Sequence, residues 1–322
     1  MKKATTKCLT DMLSEFALSP AIFRTASYES ATVADLCLRQ MGQALRENGI
    51  VRNMCDGEWL NQILQSEVLL HGRAKELLKK LKSGNRLACH PCAGPITPDD
   101  DLSWEVEALM PHPKRPLTGC IFSQQAKEIR YRTNPLVSCP EKLLSAPFWT
   151  TRACSCRISR SNVAYIELLS PLLRHANSIM FIDPHIDPSA KRYSDFWEIV
   201  TSAELRCRVP KATIEIHRVA WTGDSNDRRP RVHEIKDAFK DCLEKLLSKA
   251  GITVEVFLWD DFHDRFIVSE LLGMSWSNGF DTSKDPTASV TIARLSQSDR
   301  DGVQNEFSFN SNRHHLQGRF KI

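Results

Sequence analysis

The chain has 322 residues, 42% of them hydrophobic and 25% charged, with a formal net charge of +4. That length and apolar share support a sizeable core in two domains and exclude an intrinsically disordered chain. No run of about 18 apolar residues occurs, and the segment from Met1 to Lys7 lacks the apolar stretch of a signal peptide, so a soluble cytoplasmic protein with no membrane partner is expected.

Residues 1–85 read as helical. Val33, Leu36, Cys37, Met41, Ala44 and Leu45 share one face before Asn48-Gly49, a dipeptide that stops helices. A second helix is expected from about Asp56 through Leu60, Ile63, Leu64 and Val68, ending in Lys79, Lys80 and Lys82 before Gly84. Those lysines suit the negative end of the helix dipole, which accounts for them without a polyanion. Prolines recur from Pro91 to Pro147, the pattern of an irregular connector with short strands such as Gly119–Phe122. Within it, Asp99, Asp100 and Asp101 read as a solvated turn or helix start rather than a metal site, because consecutive carboxylates on a loop diverge. Residues 1–150 are therefore expected to form a mainly helical N-terminal domain with a proline-rich connector.

The chain has eleven cysteines; with no secretory signal they read as reduced thiols. Cys89 and Cys92 have the Cys-x2-Cys spacing that can donate two zinc ligands, but no second pair follows at ligand spacing, and Cys154 and Cys156 are one residue too close. Free thiols are the expected state, with no metal and no cofactor.

Residues 151–322 alternate helix and strand: a helix over Val163–Ala176, a strand Ile179–Ile182, a helix Asp195–Ala203, a strand Thr213–Val219, a helix Val232–Lys249 and a strand Thr253–Leu258. That alternation implies parallel pairing in a layered α/β sheet. A strand Phe266–Val268 and a last strand Ser289–Leu295 follow, then a polar tail closing on Phe320 and Ile322.

Between two of those strands runs Trp259-Asp260-Asp261-Phe262-His263-Asp264-Arg265-Phe266-Ile267-Val268-Ser269-Glu270. A histidine and an arginine two residues apart at a strand entrance are expected on one face. A neutral imidazole can attack a phosphate ester while a guanidinium holds the anionic oxygens. The segment resembles the catalytic motif of the phospholipase D superfamily, His-x-Lys-x4-Asp, with His263 in place, Arg265 at the lysine and Glu270 at the aspartate. Ser178–Pro188, with its Ile182-Asp183-Pro184 turn, resembles the strand and turn that open a repeat of that superfamily, and Gly273–Asp281 resembles its small-residue turn. The resemblance spans residues 160–322 and leaves the first 150 without a counterpart.

The resemblance implies a phospholipase D-like sheet domain and a metal-independent phosphodiesterase, with His263 forming a phosphohistidine and Arg265 clamping phosphate. It also makes Asn278 the candidate amide beside the phosphate, and Asp281 or Glu306 the acid that orients a catalytic imidazole. Glu270 is either the acid of the motif or an acid capping a strand end. His185, in the turn after Ile182, is expected at the rim of the site. His217, inside a strand, reads as structural; His314 and His315 could approach the site, but as neighbours on an extended chain they diverge. Arg228, Arg229 and Arg231 are candidates for contacting a nucleic-acid backbone or are simply a solvated basic loop. The formal charge is +6 over residues 1–160 and −2 over the rest, so attraction to a polyanion would come more from the N-terminal part. One motif copy implies a homodimer that builds the site across a twofold axis. A bacterial nuclease, in a phage-defence setting with a partner protein on the N-terminal domain, is the first expectation. A catalytically degenerate interaction module and a lipid phosphodiesterase are the alternatives.

Overall fold

The computed structural model describes residues 12–65, 71–112, 116–202, 211–222 and 229–322. The chain divides into two α/β units, Met1–Ala153 and Cys154–Ile322.

In the first unit the described elements are β1 (Ser14–Leu18), α1 (Ala31–Asn48), β2 (Gly49–Asn53), α2 (Glu58–Gln65), α3 (Gly72–Ser83), β3 (Leu87–Cys89), α4 (Asp101–Leu109), β4 (Gly119–Ile121), α5 (Gln124–Ile129), β5 (Val137–Ser138) and α6 (Pro147–Thr150). The expectation of a mainly helical domain is corrected here. Helices are plentiful, but the unit is organised by a parallel sheet of order β3-β2-β1-β4-β5. β1 and β2 are buried along their whole length, so neither shows the polar–apolar alternation by which a strand is recognised. Their charged residues look external in the sequence, yet Glu15 and Arg52 are buried as an ion pair at 2.5 Å.

The helix expected near Val33–Leu45 is α1, capped by the Ser30 hydroxyl, which accepts from the Val33 N–H. Gly49 turns that helix directly into β2, where a Cβ would stand 2.9 Å from Leu45. The single second helix is instead α2 and α3, because His71 is non-helical and begins α3 afresh. The three aspartates behave as a helix start, with Asp100 forming a capping box with Ser103. The all-thiol reading is corrected by a disulfide between Cys55 and Cys92. Pairing of β2 with β3 brings the loops after them together, whereas Cys89 stays exposed with its sulfur accepting from Asn53.

The second unit contains β6 (Ser155–Ser159), α7 (Asn162–His175), β7 (Ser178–Ile182), α8 (Ser194–Val200), β8 (Thr213–Val219), α9 (Val232–Ala250), β9 (Val254–Trp259), β10 (Phe266–Val268), β11 (Gly273–Trp276), β12 (Ser289–Arg294), α10 (Gln297–Glu306) and β13 (Leu316–Lys321). Its eight-stranded sheet has the order β13-β9-β8-β7-β10-β11-β12-β6. Parallel pairing, expected from the alternation, holds for β7, β8 and β9; the strands on either side of these three are antiparallel. β11 replaces the first part of the turn expected over Gly273–Asp281. Among the described residues no helix is long and apolar enough to cross a membrane.

Candidate active site

Strand direction decides which loops meet. β7, β8 and β9 run parallel and end at one edge, and antiparallel β10 starts there, with Phe266 opposite Ile182. β11 returns to the same edge, because Ser275 lies opposite Phe266. The loops beginning at Asp183, Ala220, Asp260 and Ser277 therefore share the carboxyl edge of the parallel strands, where ligands of α/β sheets gather.

His263 and Arg265 lie in the loop before β10 rather than in the strand, so strand alternation does not set their directions. Phe262 anchors the loop: it is buried against Phe307, ring centres 5.0 Å apart. The next side chain, His263, is 74% exposed, with Nε2 4.0 Å from Asp261 Oδ2. Arg265 donates from Nη1 to the His263 carbonyl at 3.1 Å, and its Nε stands 3.6 Å from Asp183 Oδ1.

Asp183 is fully buried. It accepts the N–H groups of His185 and Phe280, both at 3.0 Å, and the Tyr193 hydroxyl at 3.2 Å. A buried carboxylate is costly unless hydrogen-bonded and paired with a cation, and Asp183 has both. Burial, together with the Asp183 charge, raises the Tyr193 phenol far above its ordinary value and keeps it a donor. Burial lowers His185 below its ordinary value; Asp183 opposes this, while Arg265, Arg218 and Arg192 add to it. His185 thus favours the neutral imidazole near pH 7. Arg218, pushed down to about 10 by burial, donates to the carbonyls of Ile186, Val219 and Trp221 and fixes the loops after β7 and β8.

The loop after β11 completes the rim. Asp281 pairs with Arg160 at 2.7 Å. Gly279 separates the two carboxylates closely: a Cβ there would lie 2.7 Å from Asp281 Oδ1 and 3.0 Å from Asp183 Oδ2. Asn278 is exposed beside it. Glu306 does orient an imidazole, but that of His314, Oε1 to Nε2 at 2.8 Å, and it also pairs with Arg313 at 2.9 Å. His314 packs against Phe262, whose neighbour is His263.

Other expected site residues lie elsewhere. Glu270 is at the opposite end of β10, accepting the N–H groups of Asn177 at 2.6 Å and Ser178 at 3.3 Å. Roughly 10 Å of strand separates it from the loop of His263, since each residue of a strand advances about 3.4 Å; it caps the start of β7, the strand-end role the sequence left open. Arg231 reaches the rim through its N–H, which donates to the Ala220 carbonyl at 2.6 Å, while its guanidinium faces Glu234 at 3.4 Å. Arg229 is exposed in the same loop, and Arg228 lies outside the described residues. His217 is structural: buried, stacked on Phe257 at 4.6 Å, accepting from Trp259 Nε1 at 3.1 Å and bonded to Glu215 at 3.2 Å.

Asp183, Tyr193, Arg160 and Gly279 were not singled out by sequence reasoning, whereas His314 was weighed there and does lie beside the loop of His263. Only Asp183 carried a signal, in the Ile182-Asp183-Pro184 turn. No family model and no curated protein matches the chain. Among solved structures it is similar to TrmBL2, an archaeal chromatin protein described as showing a novel mode of DNA binding, at 12% identity over 74% of this chain and 80% of that one, with a TM-score of 0.26.

Proposed function

We propose that the second unit is a metal-independent phosphodiesterase of the phospholipase D type that cleaves nucleic acid. One observation carries this reading: His263, with an exposed imidazole, and Arg265, whose guanidinium donates to the His263 carbonyl and faces the fully buried Asp183 at 3.6 Å, share one loop at the carboxyl edge of the sheet. In the proposed reaction an imidazole nitrogen of His263 bonds to phosphorus as the bond to the leaving oxygen breaks. The leaving oxygen takes a proton from an acid, and water then hydrolyses the phosphohistidine and frees the second product. Arg265 neutralises the equatorial oxygens, held by its hydrogen bond to the His263 carbonyl and by the charge of Asp183. A nucleic acid is favoured as substrate by the exposed Arg192 and Arg229 and the half-exposed Arg231 near the same loops. The homodimer implied by the single motif would supply the acid from a second His263.

A second reading, phosphate binding without turnover, is favoured by the 4.0 Å separation between His263 and its nearest carboxylate. Purified protein incubated with labelled DNA and RNA in EDTA separates the two. Cleavage by wild type that disappears in His263→Ala supports the enzyme. Salt-sensitive binding without cleavage, equal in both proteins, supports the binding module.

A further inference from the structure

We propose that the reduced protein holds a zinc ion in the first unit on Cys55, Cys92 and Glu107. The Cys55 and Cys92 sulfurs and a carboxylate oxygen of Glu107 all lie within 4.8 Å of one another. Cys55 comes from the turn after β2, Cys92 from the loop after β3 and Glu107 from α4, so three separate elements converge on one point.

The carboxylate supplies the second, independent indication. Glu107 is 4% exposed, as buried as Glu15 and Glu105 in the same unit. Each of those two faces an arginine, Arg52 at 2.5 Å and Arg130 at 2.6 Å. Glu107 makes no ion pair among the described residues; its oxygens accept only the N–H groups of Ala93 at 2.5 Å and Gly94 at 3.2 Å. A buried carboxylate calls for a counter-cation, and the groups beside Glu107 are two sulfurs. Thiolate with carboxylate is a donor set for zinc, and the two N–H bonds play the orienting part that outer partners play around metal-bound carboxylates.

The turn that carries Cys55 fits the same conclusion. Cys55, Asp56 and Gly57 have φ of 51°, 53° and 107°. Two successive non-glycine residues in the left-handed region persist only where their surroundings over-determine them. A bond from the Cys55 sulfur, to Cys92 or to a metal, is such a constraint.

The disulfide and the metal site are two states of the same pair. A phosphine and one water convert the disulfide into two thiols and a phosphine oxide; zinc binding then displaces both thiol protons. The sulfurs move apart to about 3.8 Å, the separation set by Zn–S bonds of about 2.3 Å in a tetrahedron, and water fills the fourth position. Cys89 is left out of the set, its sulfur being turned to Asn53.

The test uses the full chain, reduced with a phosphine, loaded with zinc and freed of excess metal. One zinc per chain is expected by elemental analysis, and cobalt in its place should give thiolate charge-transfer and tetrahedral d–d absorption. Cys55→Ser and Cys92→Ser should lose the metal, Glu107→Gln should bind at least about tenfold more weakly, and Cys89→Ser should bind as wild type does. Should either ligand-cysteine variant fail to fold, Glu107→Gln decides, because it keeps both thiols and the side-chain shape. A reduced wild type that takes up no zinc overturns the proposal. So does unchanged affinity in Glu107→Gln, or loss of zinc in Cys89→Ser.

Discussion

On the proposed reading of the site, Asp183 accounts for an arginine at the position where the phospholipase D motif has lysine. A guanidinium is a planar fork rather than a point charge, and at this position one arm donates to the His263 carbonyl while the buried carboxylate of Asp183 faces its Nε as an ion pair at 3.6 Å. Removing the fork should therefore matter more than changing its shape. Arg265→Ala is expected to lose about 3 kcal/mol of transition-state stabilisation, the order for one lost electrostatic donor, whereas Arg265→Lys should retain measurable turnover of a phosphodiester substrate. Equal rates for wild type and Arg265→Ala would remove Arg265 from the reaction. Gly279→Ala makes a separate prediction. A Cβ at 2.7 Å from Asp281 and 3.0 Å from Asp183 must push one carboxylate aside. Overpacking of this kind costs about 1–3 kcal/mol, so the urea midpoint should fall and turnover should fall with it. A variant with wild-type midpoint and rate would show that the rim is looser than its geometry implies.

Among the elements, β8 and β9 carry the pH response that belongs to the sheet. Burial lowers His217 below its ordinary value, against the raising effects of Glu215 and Glu255. A histidine kept neutral when folded binds fewer protons than the same residue unfolded. Its effect on stability is therefore flat above the unfolded pKa of about 6.5 and unfavourable as pH falls through it. The slope contributed by one such group is at most about 1.4 kcal/mol per pH unit. Urea unfolding followed between about pH 7.5 and 5.5 should show wild type losing stability faster than His217→Gln, which can still accept from Trp259. Parallel curves would mean that His217 protonates in the folded state. The same strands show what the sequence made legible. β8, β9, α7 and α9 stand close to their expected bounds: one-sided burial leaves a periodicity in the two helices, and the two strands, though mostly buried on both faces, are short β-branched runs. β1 and β2 left no such record, being buried throughout. His263 and Arg265 were picked out by a local spacing, and the structure places both in one loop at the carboxyl edge of the sheet. The turn that holds Asp183 was visible, but its role beside Arg265 was not, because its partners arrive from Tyr193, Arg265 and Phe280 through pairings no local pattern contains. Glu270 had the right spacing and the wrong end of a strand.

For the molecule as a whole, the proposed chemistry sets a requirement on stoichiometry. The imidazole that attacks phosphorus must be neutral, while the group that protonates the leaving oxygen must begin protonated, so one His263 cannot serve as both in a single step. A twofold axis placing a second His263 opposite the first meets that requirement without further sequence. Within one chain, the same edge of the sheet offers His185, which burial holds toward the neutral form, and His314, which Glu306 contacts at 2.8 Å. The two arrangements differ in how activity dilutes. If the acid comes from a second copy, mixing His263→Ala chains with wild type under free subunit exchange should give nearly dead heterodimers, and activity should fall as the square of the wild-type fraction. If the acid comes from the same chain, each wild-type subunit keeps its full rate and the fall is linear. The square law is expected, together with a dimer in sedimentation at working concentration. A linear fall, or a monomer with full specific activity, would exclude the shared site; His314→Asn would then be expected to slow natural phosphodiesters while sparing a p-nitrophenyl ester, whose leaving group needs no proton.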